Sequence, residues 1–174
     1  MKKIAVIYSS KYGTTKKYAA WISEELGADL LDRTVVKPTQ IGSYDVVVFG
    51  GGLYAGGISG VDLVTKHRPK KLIVFTVGLA DPATTNYSNI LKKNFDPTLL
   101  NEIKVFHLRG GIDYKRLGLV HRVMMAMMKK LVIDRIPPDK RTDENRAFLA
   151  TCGEKVDFTD RSAIAPIVEY ARTL

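Results

Sequence analysis

Short runs of β-branched and aromatic residues alternate along the chain with segments whose apolar positions recur every three or four residues. That alternation predicts a parallel sheet covered by helices on both faces. The runs are Lys3 to Tyr8, Ala28 to Arg33, Asp45 to Gly50, Lys71 to Gly78 and Lys104 to Leu108. The first, third and fourth are near-continuous Ile, Val and Phe, as strands buried on both faces require, and the second is weaker. Thr15 to Leu26 carries Ala19, Ile22 and Leu26 on one helical face, with Gly27 placed as a C-terminal stop. Asp45, Pro69 and Asp96-Pro97 punctuate later boundaries.

After the fifth run the alternation fails. Residues 109 to 158 form an insertion before a last helix from Arg161 to Leu174. Within it, Arg116 to Ile133 reads as a helix with Leu119, Val120, Val123, Met124, Met127 and Leu131 on one side and His121, Arg122 and Lys129 on the other. The apolar side is expected to pack on the domain's own core or across a homodimer contact. The alternative is a docking surface for a membrane, quinone or partner protein, with Met125 exposed beside Arg122 and Lys129 and the four Met of this stretch adapting to irregular apolar ligands.

Residues 1–174 fit one domain, because typical domains run roughly 50 to 250 residues. The net charge is +9, and eleven Lys or Arg against five Asp or Glu between Lys104 and Arg146 place six of those charges in and around the insertion. No DNA- or RNA-binding motif accompanies the basic balance, so nucleic acid is not expected as a partner. A single Cys, Cys152, excludes an internal disulfide, and three scattered His give no metal-ligand spacing. The opening apolar run is too short for a signal segment, and no uncharged run reaches the roughly 18 residues of a membrane span. The expected location is cytoplasmic, with the helix at 116–133 offering peripheral contact at the inner face of a membrane.

Between the first run and the first helix lies Ser9-Ser10-Lys11-Tyr12-Gly13-Thr14-Thr15. A strand, a hydroxyl-rich loop with one Gly, and a helix start together aim N–H groups and the positive end of a helix dipole at an anion. Ser and Thr also cap helices, so the loop alone could be structural. It lacks the Gly-Lys-Ser/Thr of a P-loop, the Gly-x-Gly-x-x-Gly of a dinucleotide fingerprint and the Cys of a thiol phosphatase. Gly50-Gly51-Gly52-Leu53-Tyr54-Ala55-Gly56-Gly57 follows the third run, not the first, and needs another explanation. A receiver-type signalling domain would need acids near the end of the first strand, where Tyr8-Ser9-Ser10 has none.

Val6-Ile7-Tyr8-x-Ser10-x-x-Gly13-x-Thr15-x-x-x-Ala19-x-x-Ile22 resembles the flavodoxin signature at every defined position. The resemblance implies an α/β, flavodoxin-like doubly wound parallel sheet of strand order 2-1-3-4-5, with a helical insertion after the fifth strand and the ligand at the C-terminal strand ends. It implies FMN as cofactor, its phosphate held by Ser9, Ser10, Lys11, Tyr12, Gly13, Thr14 and Thr15. The flavin ring would lie between Gly52, Leu53, Tyr54, Ala55 and Gly56 and the loop of Val77, Gly78, Leu79 and Ala80, with Tyr54 stacking and the Gly-rich backbone admitting the ring closely.

Thr85-Asn86-Tyr87, Arg109-Gly110-Gly111-Ile112-Asp113-Tyr114, His121-Arg122 and Phe158-Thr159-Asp160 extend the likeness. They are similar to the long-insert group of that family that includes the bacterial menaquinone-dependent protoporphyrinogen oxidase, although Leu79 to Thr84 is shorter and less basic than in that group. The implied function is an FMN-dependent oxidoreductase passing electrons between a reduced substrate or partner and a quinone or protein acceptor. A flavodoxin-type carrier is the alternative; such carriers are usually acidic, and this chain is basic. No side chain is marked as an acid or base.

Overall fold

The computed structural model describes residues 2–174, with only the backbone described at Val120, His121, Val132 and Glu144. The facing expected for Val120 and His121 therefore lies outside the described residues. The order of the first part is β1 (Ile4–Ser9), α1 (Thr14–Leu26), β2 (Asp29–Asp32), α2 (Pro38–Ile41), β3 (Val46–Tyr54), β4 (Gly57–Ile58), α3 (Asp62–Lys66), β5 (Leu72–Gly78), α4 (Ser88–Asn94), α5 (Pro97–Glu102) and β6 (Lys104–Arg109). The sheet runs β2-β1-β3-β5-β6, all parallel, with the short return strand β4 antiparallel to β3. This is the expected order 2-1-3-4-5 once β4 is set aside.

Because side chains alternate across a strand, each central strand feeds two cores. Ala5, Ile7, Val47, Phe49 and Val74 pack with Ile41, Val64, Ile90 and Leu99 on one face. Val6, Val48, Ile73 and Phe75 pack with Tyr18, Ala19 and Ile22 of α1 and with Ile167, Val168 and Ala171 of α8 (Ala165–Thr173) on the other. Helix α1 stops where expected, with Gly27 left-handed at φ 59° and its N–H bonding back to the Glu24 carbonyl.

The insertion has a β stem that periodicity did not anticipate: β7 (Gly111–Asp113) pairs antiparallel with β8 (Lys155–Asp157), so its two ends leave the sheet together. Helix α1 anchors the stem. The Tyr18 hydroxyl donates to the Arg109 carbonyl at 2.7 Å and accepts from the Asp160 N–H at 3.1 Å, while Lys17 Nζ donates to Thr159 Oγ1 at 2.6 Å and to Asp157 Oδ2 at 3.2 Å.

Beyond the stem, α6 (Leu119–Met127) continues through a π-helical turn at Met128–Val132 and a 3-10 turn at Ile133–Arg135, and α7 (Asp143–Thr151) follows. Helix α6 starts at Leu119 rather than Arg116 because Gly118 precedes it with a non-helical ψ of 153°. Its facing also corrects an expectation. Leu119, Val123, Met124, Met127 and Leu131 stand exposed and do not pack on the chain's own core. The opposite side, with Met125, Met128 and buried Ile133, turns inward.

Candidate functional site

The parallel register brings Ser9 beside Gly51, Gly52 beside Val77 and Gly78 beside Arg109, so the C-terminal ends of four strands open at one edge of the sheet. A cavity of about 340 Å³ lies there, within the range of roughly 300 to 1,000 Å³ usual for small-molecule sites. Three of its walls come from the three loops singled out above. Lys11, Tyr12, Thr14 and Thr15 line one side, Gly52, Leu53, Tyr54 and Ala55 the second, and Val77, Gly78, Leu79 and Ala80 the third.

Gly13 enters α1 at φ 97°, a left-handed backbone that favours glycine, and provides no side-chain cap for the first turn. Ser10 Oγ instead accepts the Gly13 N–H at 3.1 Å, and Ser9 Oγ lies 2.8 Å from Ser59 Oγ. Those two hydroxyls shape the loop and do not line the cavity; Gly13 and Gly56 are also outside its lining. Thr15 is buried at the cavity wall.

The Gly-rich stretch has a packing explanation. A Cβ at Gly50 would run into the Phe75 ring, one at Gly51 would lie 2.5 Å from Ile58 Cγ2, and one at Gly52 would lie 2.9 Å from Tyr54 Cε2. The room these glycines leave is taken by neighbouring side chains, not by an open approach from the edge. Ala55 and Gly56, at φ 48° and 74°, make the two-residue turn from β3 into β4, and both positive φ values suit a tight hairpin. Lys93 Nζ donates to the Ala55 carbonyl at 3.0 Å and Asn94 Nδ2 to the Gly56 carbonyl at 2.9 Å, fixing the turn that carries Tyr54.

Tyr54 meets Tyr12 edge to face, with centroids 6.4 Å apart, and Lys11 Nζ stands 5.8 Å from the Tyr54 centroid. Burial, with a smaller contribution from Tyr12, pushes the Tyr54 hydroxyl up to about 12, so it stays protonated at neutral pH. On the third wall, Arg109 Nε donates to the Leu79 carbonyl at 3.1 Å while its guanidinium lies 3.8 Å from the Phe158 centroid. Tyr87, which also lines the cavity, stacks on His107 at 3.6 Å and 5°, and His107 Nδ1 lies 2.6 Å from Thr76 Oγ1. Burial holds His107 down to about 4, which keeps its ring neutral.

The fourth wall is the insertion: Ile112, Met124, Met125, Met128, Asn145 and Phe148 close over the cavity together with Gly110 and Gly111. Met125 thus lines the cavity, contrary to its expected place beside Arg122 and Lys129. The Met-rich composition was a signal for an adaptable apolar wall, but nothing local marked Asn145 or Phe148. Gly110 fits closely, since a Cβ there would stand 2.6 Å from Val77 Cγ1 and 3.2 Å from Thr14 Oγ1.

A doubly wound sheet with its cavity at the strand ends, between a hydroxyl-bearing helix start and an aromatic hairpin, defines the flavodoxin-like class. Residues 5–135 match the flavodoxin domain family, and the chain belongs to it. It is 32% identical over 83 residues to the uncharacterized protein MJ0298 of Methanocaldococcus jannaschii, the match covering 45% of this chain and 55% of that relative. The chain thus spans about half the length of that curated relative. Among solved structures it is similar to oxidised flavodoxin 2 from Bacillus cereus at 17% identity, covering 62% of this chain and 84% of that one with a TM-score of 0.45. It is also similar to a flavoprotein in complex with FMN from Lactobacillus acidophilus at 15% identity, covering 63% and 93% with a TM-score of 0.41.

Proposed function

We propose that this chain is an FMN-binding oxidoreductase that passes electrons between a reduced substrate or partner and a quinone or protein acceptor. One observation carries the reading: a single cavity runs from the start of α1 to an apolar slot closed by the insertion. The residues suit the cofactor at both ends. Thr14 and Thr15 stand with the uncapped first turn of α1, which suits a terminal phosphate, and Tyr54, Leu53, Val77 and Leu79 offer apolar walls for a flat ring.

When bound, FMN supplies the electron chemistry, and the protein's contribution is to hold and surround it. The Thr14 and Thr15 hydroxyls would hold the phosphate end, and Tyr54 would bear on the ring. Arg109 fixes the Leu79 carbonyl and so sets the backbone of the third wall. Met125, Met128 and Phe148 give the slot an adaptable apolar wall that would limit water at the ring. A porphyrinogen is the first donor to try, because Arg109 to Tyr114 and Phe158 to Asp160 resemble the protoporphyrinogen oxidase group.

Titrating apoprotein with FMN, FAD and riboflavin tests the cofactor. Saturable FMN binding that weakens on loss of the phosphate is expected, and equal affinity for riboflavin would refute the phosphate site. The second reading, a carrier without its own substrate, draws on Tyr54, which is 41% exposed at the mouth and leaves one edge of the site open to a docking protein. Turnover of a small donor with a quinone separates the two, since a carrier would exchange electrons only with protein partners.

A further inference from the structure

Five of the eight large apolar side chains that stand exposed among the described residues, Leu119, Val123, Met124, Met127 and Leu131, lie on the single helical run opened by α6. Leu119, Val123, Met127 and Leu131 recur at every fourth position and form one stripe, with exposures of 70%, 51%, 53% and 45%. Rolling the helix cannot hide this stripe, because Met125 and Met128 wall the cavity and Ile133 is buried.

Lys115, Arg116, Arg122, Lys129, Lys130 and Arg135 are exposed in and around the run. Among the described residues none of them forms an ion pair. Asp134 is the exposed acid within the run. A second copy of the chain suits such a face poorly, since a two-fold interface would set the same unpaired cations against one another.

We propose that the run from Leu119 to Arg135 docks on an anionic membrane surface, its apolar stripe among the acyl chains and its cations at the headgroups. The segment is short, amphipathic and flanked by cations, the character of a helix that lies in the interface. Among the described residues no helix is long and apolar enough to cross a membrane. Met124 is both 58% exposed and part of the cavity wall, so the stripe continues into the apolar rim of the cavity. A lipid-dissolved molecule would meet that rim without crossing water. The inference stands on the exposed stripe and its charge and does not depend on the cofactor reading.

The test is co-sedimentation of the full chain with vesicles of phosphatidylcholine alone and of phosphatidylcholine mixed with phosphatidylglycerol, at low and high salt. Binding to the mixed vesicles, reversed by salt and abolished in the Val123→Asp/Met127→Asp double variant, is expected. Lys129→Gln and Lys130→Gln should each weaken partitioning about fivefold. Thermal melting and FMN titration of every variant separate lost docking from lost folding, because none of these residues lines the cavity. No sedimentation with the mixed vesicles, or sedimentation indifferent to the apolar double variant, would overturn the proposal. So would a protein that ignores vesicles but forms a dimer dissolved by Met127→Asp, or one that binds only a soluble acidic protein.

Discussion

Replacing Gly50 by Ala would place a methyl group 2.6 Å from Phe75 Cε1 and Cε2, and closer still to Cζ, in the register pair that joins β3 to β5. Phe75 is fully buried and cannot swing to solvent, so the methyl must push a rigid ring through packed neighbours. Overpacking of this kind costs about 1–3 kcal/mol, and a ring edge met head-on belongs near the upper end. For a chain of this length, about 3 kcal/mol corresponds to a melting temperature lower by roughly 6–12 °C. Phe75→Leu removes the obstructing ring tip and should cost only about 1–1.5 kcal/mol by itself. The Gly50→Ala/Phe75→Leu protein should then melt near Phe75→Leu alone, a favourable coupling of about 2–3 kcal/mol in a double-mutant cycle. Thermal or urea unfolding of the four proteins gives the coupling directly, and FMN titration provides the contrast. Additive destabilisation, or a Gly50→Ala protein of unchanged stability that has lost FMN, would show that the glycine serves the ligand and refute the packing argument.

Thr15→Ala, at the cavity wall, should weaken FMN binding by about 1.5–3 kcal/mol, the worth of a hydrogen bond to a charged group; Ser10→Ala, which loses only the bond to the Gly13 N–H, should cost about 1 kcal/mol, and unchanged affinity in both would contradict the phosphate assignment. Arg109→Met should lower the melting temperature and weaken FMN binding together by releasing the Leu79 carbonyl and the Phe158 ring, whereas a purely structural role would move stability alone. For His107, whose folded pKa is held near 4, the unfolded chain binds the additional proton between about pH 6.5 and 4, so this group's contribution is present above that window and falls as pH drops through it. Wild type should therefore lose more stability than His107→Gln across the window, by at most about 1.4 kcal/mol per pH unit, and parallel stability curves would show that burial does not hold the ring neutral.

Both the positions of the central strands and the loop at the start of α1 were legible because each rests on local sequence, whereas the order of the strands came only with the family resemblance. A central parallel strand is buried on both faces, so Ile4 to Tyr8, Val46 to Phe49 and Leu72 to Val77 read as continuous apolar runs whatever surrounds them. The hydroxyl-rich turn around Gly13 likewise needs only its own residues to present a helix start. The individual roles in that loop were not legible: Ser9 and Ser10 bond to Ser59 and to the Gly13 N–H, whereas Thr14 and Thr15 reach the cavity. The Gly-rich stretch was ambiguous in the same way, since the atoms that fill its space, from Phe75 and Ile58, are distant in sequence or lie across a turn.

The insertion marks the boundary between sequence and tertiary structure most clearly. Its apolar and basic content was plain from composition, but the helical run opened by α6 is apolar on two sides, with Met125 and Met128 on one and Leu119, Val123 and Met127 on another. Periodicity shows that such faces exist and says nothing of which one meets the core. That choice was made by contacts far apart in the chain: the β7–β8 stem, Lys17 on Asp157 and Thr159, and Tyr18 between Arg109 and Asp160. They hold the insertion over the strand ends, so one apolar face closes the cavity while the other stays in solvent.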